Sequence, residues 1–316
     1  MSVSSRASAV MRFGVSAAGF NSMGHLVERA RWAERVGFST FSVSDHLNAP
    51  SPIVTLQAIA SATSRIRLGT LVINNDLRHP VVLAQDAATI DRLSDGRLEL
   101  GLGAGWALPE YRRAGIPYHP PATRIERLGE TVAALRALFA GEQITTAGPH
   151  VQLRDHFVVP KPPQGRQLPL LIGGNGDRLL TLAAEQADIV SFTGFGPDGE
   201  GSNVRTHFSR SGLAERVALV RRASAPRSVP PELHVLLQTL VITEDRELMA
   251  RTIAQRHGQS MLDVLTCPFL AFGTVEEICW QLVRLRDELG IGYVTVFDQC
   301  AEDAGTVMTT FDQLSA

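Results

Sequence analysis

Several polar side chains that can exchange a proton or hold a ligand follow short apolar runs of the sequence. Asp45 and His46 end the run Thr40–Ser44, Asn74 follows the next apolar run, and Thr193 ends another. An imidazole titrates near neutral pH, so His46 beside Asp45 is a candidate proton donor or acceptor. A histidine here can equally cap a helix or satisfy backbone groups, and position alone leaves both interpretations open.

Glycine-rich stretches are the second kind of candidate. Gly173-Gly174-Asn175-Gly176 lies between an apolar run and a helical pattern, and bare amides at a helix start bind anions such as phosphate. A tight turn also favours glycine there. The stretch 101–106, Gly-Leu-Gly-Ala-Gly-Trp, superficially matches a dinucleotide fingerprint, but Trp106 takes the third glycine position. We interpret it as a strand end on which a flat ring can lie, or as glycines that relieve crowding.

A metal site is the competing enzyme hypothesis. Its ligands would be Asp45, His46, Asp76 and His79, which are plausible ligand types. The sequence has no H-x-H or H-E-x-x-H spacing, and adjacent side chains on an extended backbone point in different directions. We therefore expect no metal.

The composition favours a globular protein with a small-molecule ligand. The 316 residues are 44% hydrophobic and carry a formal net charge of -2. Nucleic-acid binding normally needs a basic surface, so no nucleic-acid partner is expected. Lys161, the only lysine, lies in a proline-rich run, which argues against Schiff-base chemistry.

The cysteines and the first residues bear on the compartment. Cys267, Cys279 and Cys300 show no C-x-x-C spacing, so we expect reduced thiols in the core. The first eleven residues contain no apolar stretch long enough for a signal peptide or a membrane span. We expect a cytoplasmic protein without a membrane partner.

Short β-rich runs alternate with longer helical patterns, which predicts parallel strands covered by helices. The eight predicted strands are Arg12–Ser16, Thr40–Ser44, Arg67–Ile73, Leu98–Gly103, Leu168–Ile172, Ile189–Thr193, Leu233–Ile242 and Tyr293–Phe297. Eight strands close into an α/β fold of the (β/α)8 TIM-barrel type, whose functional residues collect at the carboxyl ends of the strands. We predict an N-terminal tail at 1–11 and one barrel domain at 12–316.

Local signals mark helix ends and irregular segments. Thr123–Glu126 and Thr274–Glu277 match capping boxes, Pro80 suits a first helical turn, and Gly37 and Gly290 suit helix C termini. The regular alternation is interrupted at 105–123, 147–167 and 194–211. The first and third segments should cover the carboxyl end of the barrel, with 194–211 as a mobile flap. The middle segment should be a hairpin outside the barrel.

Several strings together resemble the luciferase-like monooxygenase superfamily over nearly the whole chain. They are Arg12–Val15, Ser44–Leu47, Leu68–Val72, Arg78–Pro80, Leu93–Arg97, Glu99–Trp106, Pro169–Gly174 and Gly273–Ile278. Within that superfamily, the Gly-x-Gly-Ala-Gly-Trp form and Asp45-His46 are similar to the F420-dependent oxidoreductases of actinobacteria. The resemblance implies an enzyme that transfers a hydride between ring carbon C5 of the deazaflavin coenzyme F420 and a small organic substrate.

The resemblance also implies site residues. His46 would be the proton donor or acceptor, and a non-prolyl cis peptide bond would join Leu71 and Val72. The ring would be surrounded by Asp45, His46, Leu71, Val72 and Asn74. The ribityl chain would be bordered by Gly103, Ala104 and Gly105. The phosphate would be held by Gly173, Gly174, Asn175 and Thr193.

Alternatives remain open at this point. FMN has the same phosphate and a similar ring, so an FMN-dependent luciferase-like monooxygenase is the first alternative. A non-catalytic F420- or flavin-binding protein is the second. Trp106 and Pro109 stand where sugar-phosphate-oxidising relatives carry a glutamate and an asparagine, so glucose 6-phosphate is not the expected substrate. Arg112 and Arg113 are the nearest candidates for an oligoglutamate tail, and a homodimer is implied by the resemblance alone.

Overall fold

The computed structural model describes residues 11–17, 19, 21–197, 203–205 and 208–315. The strands are β1 Arg12–Ala17, β2 Thr40–Val43, β3 Arg67–Thr70, β4 Ile73–Asn74, β5 Leu98–Gly103, β6 Ile144–Ala147, β7 Gln152–His156, β8 Leu170–Gly173, β9 Ile189–Phe192, β10 Phe195–Pro197, β11 Asn203–Arg205, β12 Glu232–Leu237, β13 Thr239–Ile242, β14 Leu270–Gly273 and β15 Ile291–Phe297. The helices are α1 Met23–Val36, α2 Pro52–Ala62, α3 Pro80–Leu93, α4 Leu108–Ala114, α5 Pro121–Ala140, α6 Asp177–Gln186, α7 Arg210–Ala223, α8 Arg246–His257, α9 Met261–Thr266, α10 Val275–Leu289 and α11 Ala301–Ser315.

Eight parallel strand positions close into a barrel. Neighbouring strands follow the order β3-β2-β1-β15-β12-β9-β8-β5, and pairing of β3 with β5 completes the circle. The third position is interrupted after Thr70 and resumes as β4, which also pairs with β5. The predicted (β/α)8 barrel is confirmed, with the predicted third strand divided in two.

The helices pack on the barrel through their predicted apolar faces. Eight leucine, valine and isoleucine positions at helical spacing are all buried. They are Leu128, Val132, Leu135 and Leu138 in α5, and Ile278, Leu282, Leu285 and Leu289 in α10. Burial of such side chains contributes about 1.5–3 kcal/mol each, so these faces fix both helices against the barrel wall.

Most of the predicted helix ends are confirmed. Pro80 is the first residue of α3, Gly37 and Gly290 end α1 and α10 in the left-handed conformation, and the capping box at Thr274 is formed. The capping box predicted at Thr123 is wrong, because α5 already begins at Pro121. A proline in the first turn needs no hydrogen-bond partner for its nitrogen, so the helix can start there.

The predicted strand Leu233–Ile242 is wrong as one element. β12 stays in the barrel wall, and after Gln238 the chain leaves as β13, which pairs in parallel with β14 in a separate two-stranded sheet. The backbone N–H of Gln238 donates to the Phe269 carbonyl at 2.8 Å. Leu237 and Leu240 are both buried, so the apolar pattern continues across the break and conceals it.

The irregular segments have local structure. The hairpin predicted in 147–167 is confirmed in part, since β6 and β7 pair antiparallel, with β6 starting ahead of that segment. Segment 105–123 contains α4 and the start of α5. Within 194–211, strands β10 and β11 pair antiparallel. Residues 198–202, 206 and 207 of this segment lie outside the described residues, so the mobile flap stays a prediction. Of the predicted tail only Met11 is described, and it is buried.

The barrel interior contains a fully buried histidine. His234 Nδ1 is 2.7 Å from Ser191 Oγ, and its Nε2 is 2.8 Å from Thr295 Oγ1. Burial, with a smaller contribution from the charge of Arg12, lowers the pKa of His234 to about 3. The ring is therefore neutral near pH 7, and one of its nitrogens donates while the other accepts.

None of the helices in the described part of the chain combines the length and apolar character of a bilayer span.

Candidate functional site

One cavity of about 510 Å³ opens at the carboxyl end of the barrel. All twelve candidate site residues line its wall. They are Asp45, His46, Leu71, Val72, Asn74, Gly103, Ala104, Gly105, Gly173, Gly174, Asn175 and Thr193. The barrel topology brings these distant parts of the sequence together, because the carboxyl ends of parallel strands share one end of the barrel.

His46 forms a hydrogen-bonded pair with a carboxylate that the sequence analysis did not select. His46 Nδ1 lies 2.8 Å from Glu110 Oε1, and the backbone N–H of Leu47 donates to Glu110 Oε2 at 3.0 Å. Glu110 is in the first turn of α4 and its side chain is 12% exposed. A carboxylate at Nδ1 favours the tautomer with the proton on that nitrogen, which leaves Nε2 to exchange a proton with a ligand.

Asp45 is engaged with protein groups. Its carboxylate accepts hydrogen bonds from both terminal nitrogens of Arg78 and from the backbone N–H of Asn74, the last at 3.0 Å. Asp45 is buried, and its bond to the Asn74 N–H joins the end of β2 to the end of β4 at the cavity wall. The carboxylate is therefore paired within the protein, and it holds the Asn74 backbone in place.

The side chain of Asn74 is oriented by hydrogen bonds. Its Oδ1 accepts from Tyr111 Oη at 3.0 Å and from the backbone N–H of Asp76 at 3.1 Å. Burial raises the pKa of Tyr111, so its hydroxyl remains a donor at working pH. Asp76 is in turn paired with Arg127 at 2.6 Å. Because Oδ1 is occupied, the Asn74 amide presents its Nδ2 donors to the cavity.

The third strand position forms a bulge into the cavity. The peptide bond between Leu71 and Val72 is cis, as the resemblance implied. A Cβ at Gly103 would lie 2.7 Å from Val72 Cγ2, and a Cβ at Gly173 would lie 3.2 Å from Val72 Cγ1. Glycines at the end of β5 and at the end of β8, the next strand along the barrel, therefore leave space for the Val72 side chain at the cavity wall.

The loop after β8 has the geometry of an anion site. Gly176 is the N-cap of α6, no side chain caps this helix, and a Cβ at Gly176 would meet nothing within 4 Å. The first N–H groups of α6 are thus left for a ligand. Thr193 also lines the cavity, but its hydroxyl donates to the Phe195 carbonyl at 2.9 Å.

Residues 9–263 match the family model described as luciferase-like monooxygenase. The chain belongs to that family.

Curated relatives are about one third identical to this luciferase-like chain over the stretches that match. The F420-dependent glucose-6-phosphate dehydrogenase of Beutenbergia cavernae is 34% identical over 212 residues, which cover 64% of this chain and 61% of the relative. The enzyme of the same name from Microbacterium testaceum is 33% identical over 165 residues, 49% of this chain and 48% of the relative. The matched stretches thus span about half to three fifths of the relatives' length.

Solved structures share the fold of this family member. The coenzyme F420 dependent tetrahydromethanopterin reductase of Methanopyrus kandleri has a TM-score of 0.77 and 19% identity, covering 96% of this chain and 99% of that one. An F420-dependent secondary alcohol dehydrogenase in complex with an F420-acetone adduct has the same TM-score with 18% identity and the same coverage. The long-chain alkane monooxygenase LadA has a TM-score of 0.76 with 12% identity, covering 96% and 91%. At these identities the likeness establishes the fold.

The four residues of the metal hypothesis are held by separate partners in this luciferase-like barrel. Asp45 pairs with Arg78, Asp76 with Arg127, and His46 with Glu110, while His79 Nδ1 accepts from the N–H of Val81 at the start of α3. Within the described ranges, no group of three or more His, Cys, Asp or Glu side chains is arranged to hold a metal ion.

Three further cavity residues of this family member are not among the site residues predicted from the sequence. Ser44 Oγ is buried without a hydrogen-bond partner among the described residues. Trp106 lies edge-on to His46 with ring centroids 5.9 Å apart. Arg124 is buried and donates to the Ala104 and Gly105 carbonyls at the end of β5. Ser44 was the one with a clear signal, since it ends a predicted strand directly before Asp45.

Proposed function

We propose that this chain is an F420-dependent oxidoreductase that transfers a hydride between the deazaflavin ring and a small organic substrate. The observation that carries the proposal is the single cavity in which the His46–Glu110 pair, the Leu71–Val72 bulge and the uncapped N terminus of α6 meet. Relatives named as F420-dependent enzymes support the choice of cofactor. When bound, F420 would supply hydride chemistry at its ring carbon C5.

The cavity residues fit this cofactor. A flat ring can lie on the floor formed by the bulge and Gly103, where the Asn74 Nδ2 donors and the unpaired Ser44 hydroxyl are available to ring oxygen and nitrogen atoms. The phosphate would be held by the first N–H groups of α6 and the preceding glycine loop. Thr193 would assist only after its hydroxyl turns away from the Phe195 carbonyl.

His46 accepts or donates the proton that accompanies hydride transfer. In substrate oxidation its Nε2 accepts a proton from the substrate, and in reduction the same nitrogen donates it. Glu110 stabilises the imidazolium and holds the ring in place. This arrangement of a histidine and an orienting carboxylate supports proton transfer over a role restricted to cofactor binding.

The domain organisation, oligomeric state, localisation and partners are proposed from the family resemblance. We propose one barrel domain at residues 12–316, assembled as a homodimer in the cytoplasm with no nucleic-acid or membrane partner. Static light scattering of the purified chain tests the dimer. Glucose 6-phosphate, which appears in the relatives' names, is not proposed as substrate. The family resemblance implies that Trp106 and Pro109 stand where sugar-phosphate-oxidising enzymes carry a glutamate and an asparagine.

Cofactor titration tests the proposal. Protein fluorescence is followed while F420 or FMN is added, and a Trp106→Phe variant shows whether quenching arises at the cavity. We expect micromolar binding of F420 and far weaker binding of FMN. Tighter FMN binding would make the chain an FMN-dependent monooxygenase, and binding of neither would overturn the proposal.

A histidine variant tests the catalytic role. His46→Ala should retain F420 binding and reduce kcat about a hundredfold or more, because a positioned acid or base contributes about 10²–10⁴. His25→Ala, at an exposed position outside the cavity, should retain full activity. Full turnover by His46→Ala would reject the role of this residue, and F420 binding without turnover of any substrate would identify a carrier.

A further inference from the structure

The cavity wall divides into two arcs with different chemistry, an inference that rests on the proposed function. The candidate cofactor residues follow the strand positions β2, β3/β4, β5, β8 and β9. The other three positions, β12, β15 and β1, are consecutive neighbours in the barrel. We call this second set the substrate arc. Its cavity-lining residues are Ser16, Leu236, Gln238 and Phe297.

The substrate arc presents no charged side chain among its described cavity residues. Leu236 and Phe297 are each only half-buried, so apolar surface is open to the cavity. The Nε2 of Gln238 donates weakly to the Thr193 and Leu236 carbonyls at 3.5 and 3.4 Å, which leaves its Oε1 as a neutral acceptor. A ligand on this arc therefore meets apolar groups and two neutral polar ones.

The charged groups elsewhere on the described wall are already in ion pairs or hydrogen-bonded within the protein. Asp45 is bound to Arg78, and Glu110 is bound to His46. Arg124 lies on the cofactor side, where its nitrogens donate to the Ala104, Gly105 and His119 carbonyls and to the Tyr118 hydroxyl at 3.0 Å. A phosphate or carboxylate on the substrate would leave water without gaining a counter-charge, and such desolvation is unfavourable.

We propose that the substrate is an uncharged, mainly apolar alcohol or carbonyl compound that lies against Leu236 and Phe297, with its reacting oxygen towards His46. The position of His46 agrees with this, because β2 adjoins β1 at the edge of the substrate arc. With F420 bound, its oxidised ring would accept the hydride that the carbinol carbon loses in the oxidising direction, and His46 would accept the hydroxyl proton. The product is the ketone or aldehyde, and reduction reverses both transfers.

Binding of matched probes to F420-loaded protein tests the substrate class. Isothermal titration calorimetry compares four- to eight-carbon alcohols with carboxylates of the same size, and with glucose 6-phosphate. We expect the best alcohol to bind at least tenfold more tightly than its matched carboxylate and than glucose 6-phosphate. Equal or tighter binding of an anionic probe overturns the proposal, and so does failure of every neutral probe to bind.

Variants on the substrate arc locate the site. Gln238→Arg supplies a cation, so it should improve carboxylate binding at least tenfold and weaken alcohol binding. Gln259→Arg adds the same charge at an exposed position outside the cavity and should change neither. Leu236→Ala, a smaller change in case Gln238→Arg does not fold, should weaken alcohol binding about fivefold to tenfold with the F420 dissociation constant unchanged. Alcohol binding unaffected by Leu236→Ala contradicts this placement.

The F420 titration keeps the two proposals separate. Absence of F420 binding rejects the proposed function itself. Normal F420 binding together with a preference for anionic probes rejects the substrate class alone.

Discussion

His46 and Glu110 are joined by a hydrogen bond of 2.8 Å although 64 residues separate them in the sequence. The pair links the end of the second barrel strand to the first turn of α4. Because the second oxygen of Glu110 is held by the Leu47 N–H, the carboxylate cannot turn freely, and it fixes the imidazole in one orientation. Glu110 is therefore a positioning residue for the proton chemistry proposed for His46.

Glu110→Gln tests this relationship. The amide keeps the shape but loses the charge that stabilises the imidazolium, so we expect kcat to fall about tenfold to a hundredfold with KM and F420 affinity nearly unchanged. Steady-state kinetics and the F420 titration measure these quantities. Glu126→Gln, at a surface pair with Arg178, should behave as wild type. Wild-type kcat in Glu110→Gln would remove Glu110 from the mechanism.

Asp45→Asn should destabilise the fold and weaken cofactor binding. The change leaves the Arg78 guanidinium without its carboxylate in a largely buried place and weakens the bond to the Asn74 N–H. We expect a loss of about 2–3 kcal/mol in the free energy of unfolding, measured by urea denaturation. Glu288→Gln, which removes surface ion pairs with Arg284 on α10 and with Arg210 on α7, should leave the urea midpoint nearly unchanged. An unchanged midpoint in Asp45→Asn would show that Arg78 does not depend on this partner.

Gly103→Ala should disturb the floor of the cavity. The added Cβ would lie 2.7 Å from Val72 Cγ2, so the bulge has to shift towards the cofactor position. Overpacking of this kind costs about 1–3 kcal/mol, and we expect F420 affinity to fall roughly tenfold. In the matched variant Gly292→Ala the new Cβ meets nothing within 4 Å. Equal F420 dissociation constants for the two variants would contradict the role of the bulge.

His234→Gln should remove a pH dependence of stability. The unfolded chain takes up a proton on this histidine below its ordinary pKa of 6.5, whereas the folded chain resists until about pH 3. The free energy of unfolding of the wild type should therefore decrease as pH falls from 6.5 towards 3, by on the order of 1.4 kcal/mol per pH unit from this group. Denaturation curves at several pH values compare the two proteins. Parallel pH profiles would show that folding does not lower the pKa of His234.

The barrel and the location of the site could be predicted because both depend on regular features. Alternating strand and helix patterns determine the topology, and the topology brings strand ends such as His46 and Asn74 to one cavity. The residues missed depend on local geometry. Glu110 lies on a short helix in a segment whose conformation the sequence does not determine, and its contact with His46 is long-range.

Element boundaries failed where tertiary contacts outweigh the local pattern. The break at Gln238 is hidden in a continuous apolar run, because strands of the barrel and of the outer sheet both need buried side chains. The four-residue strand β14 is identified only by its pairing with β13. Thr123 matched a capping box, yet the prolines before it start α5 earlier.

The residues proposed to contact the substrate and those proposed to hold the cofactor lie mostly in different parts of the chain. Three of the four substrate-arc residues, Leu236, Gln238 and Phe297, lie in the C-terminal third, with Ser16 of β1 as the exception, whereas the cofactor candidates all lie between residues 45 and 193. Under the proposed division, mutations after residue 230 can change what the protein acts on while the earlier part of the gene preserves how it does so. Descendants of one ancestor could then diversify in substrate without a new cofactor site.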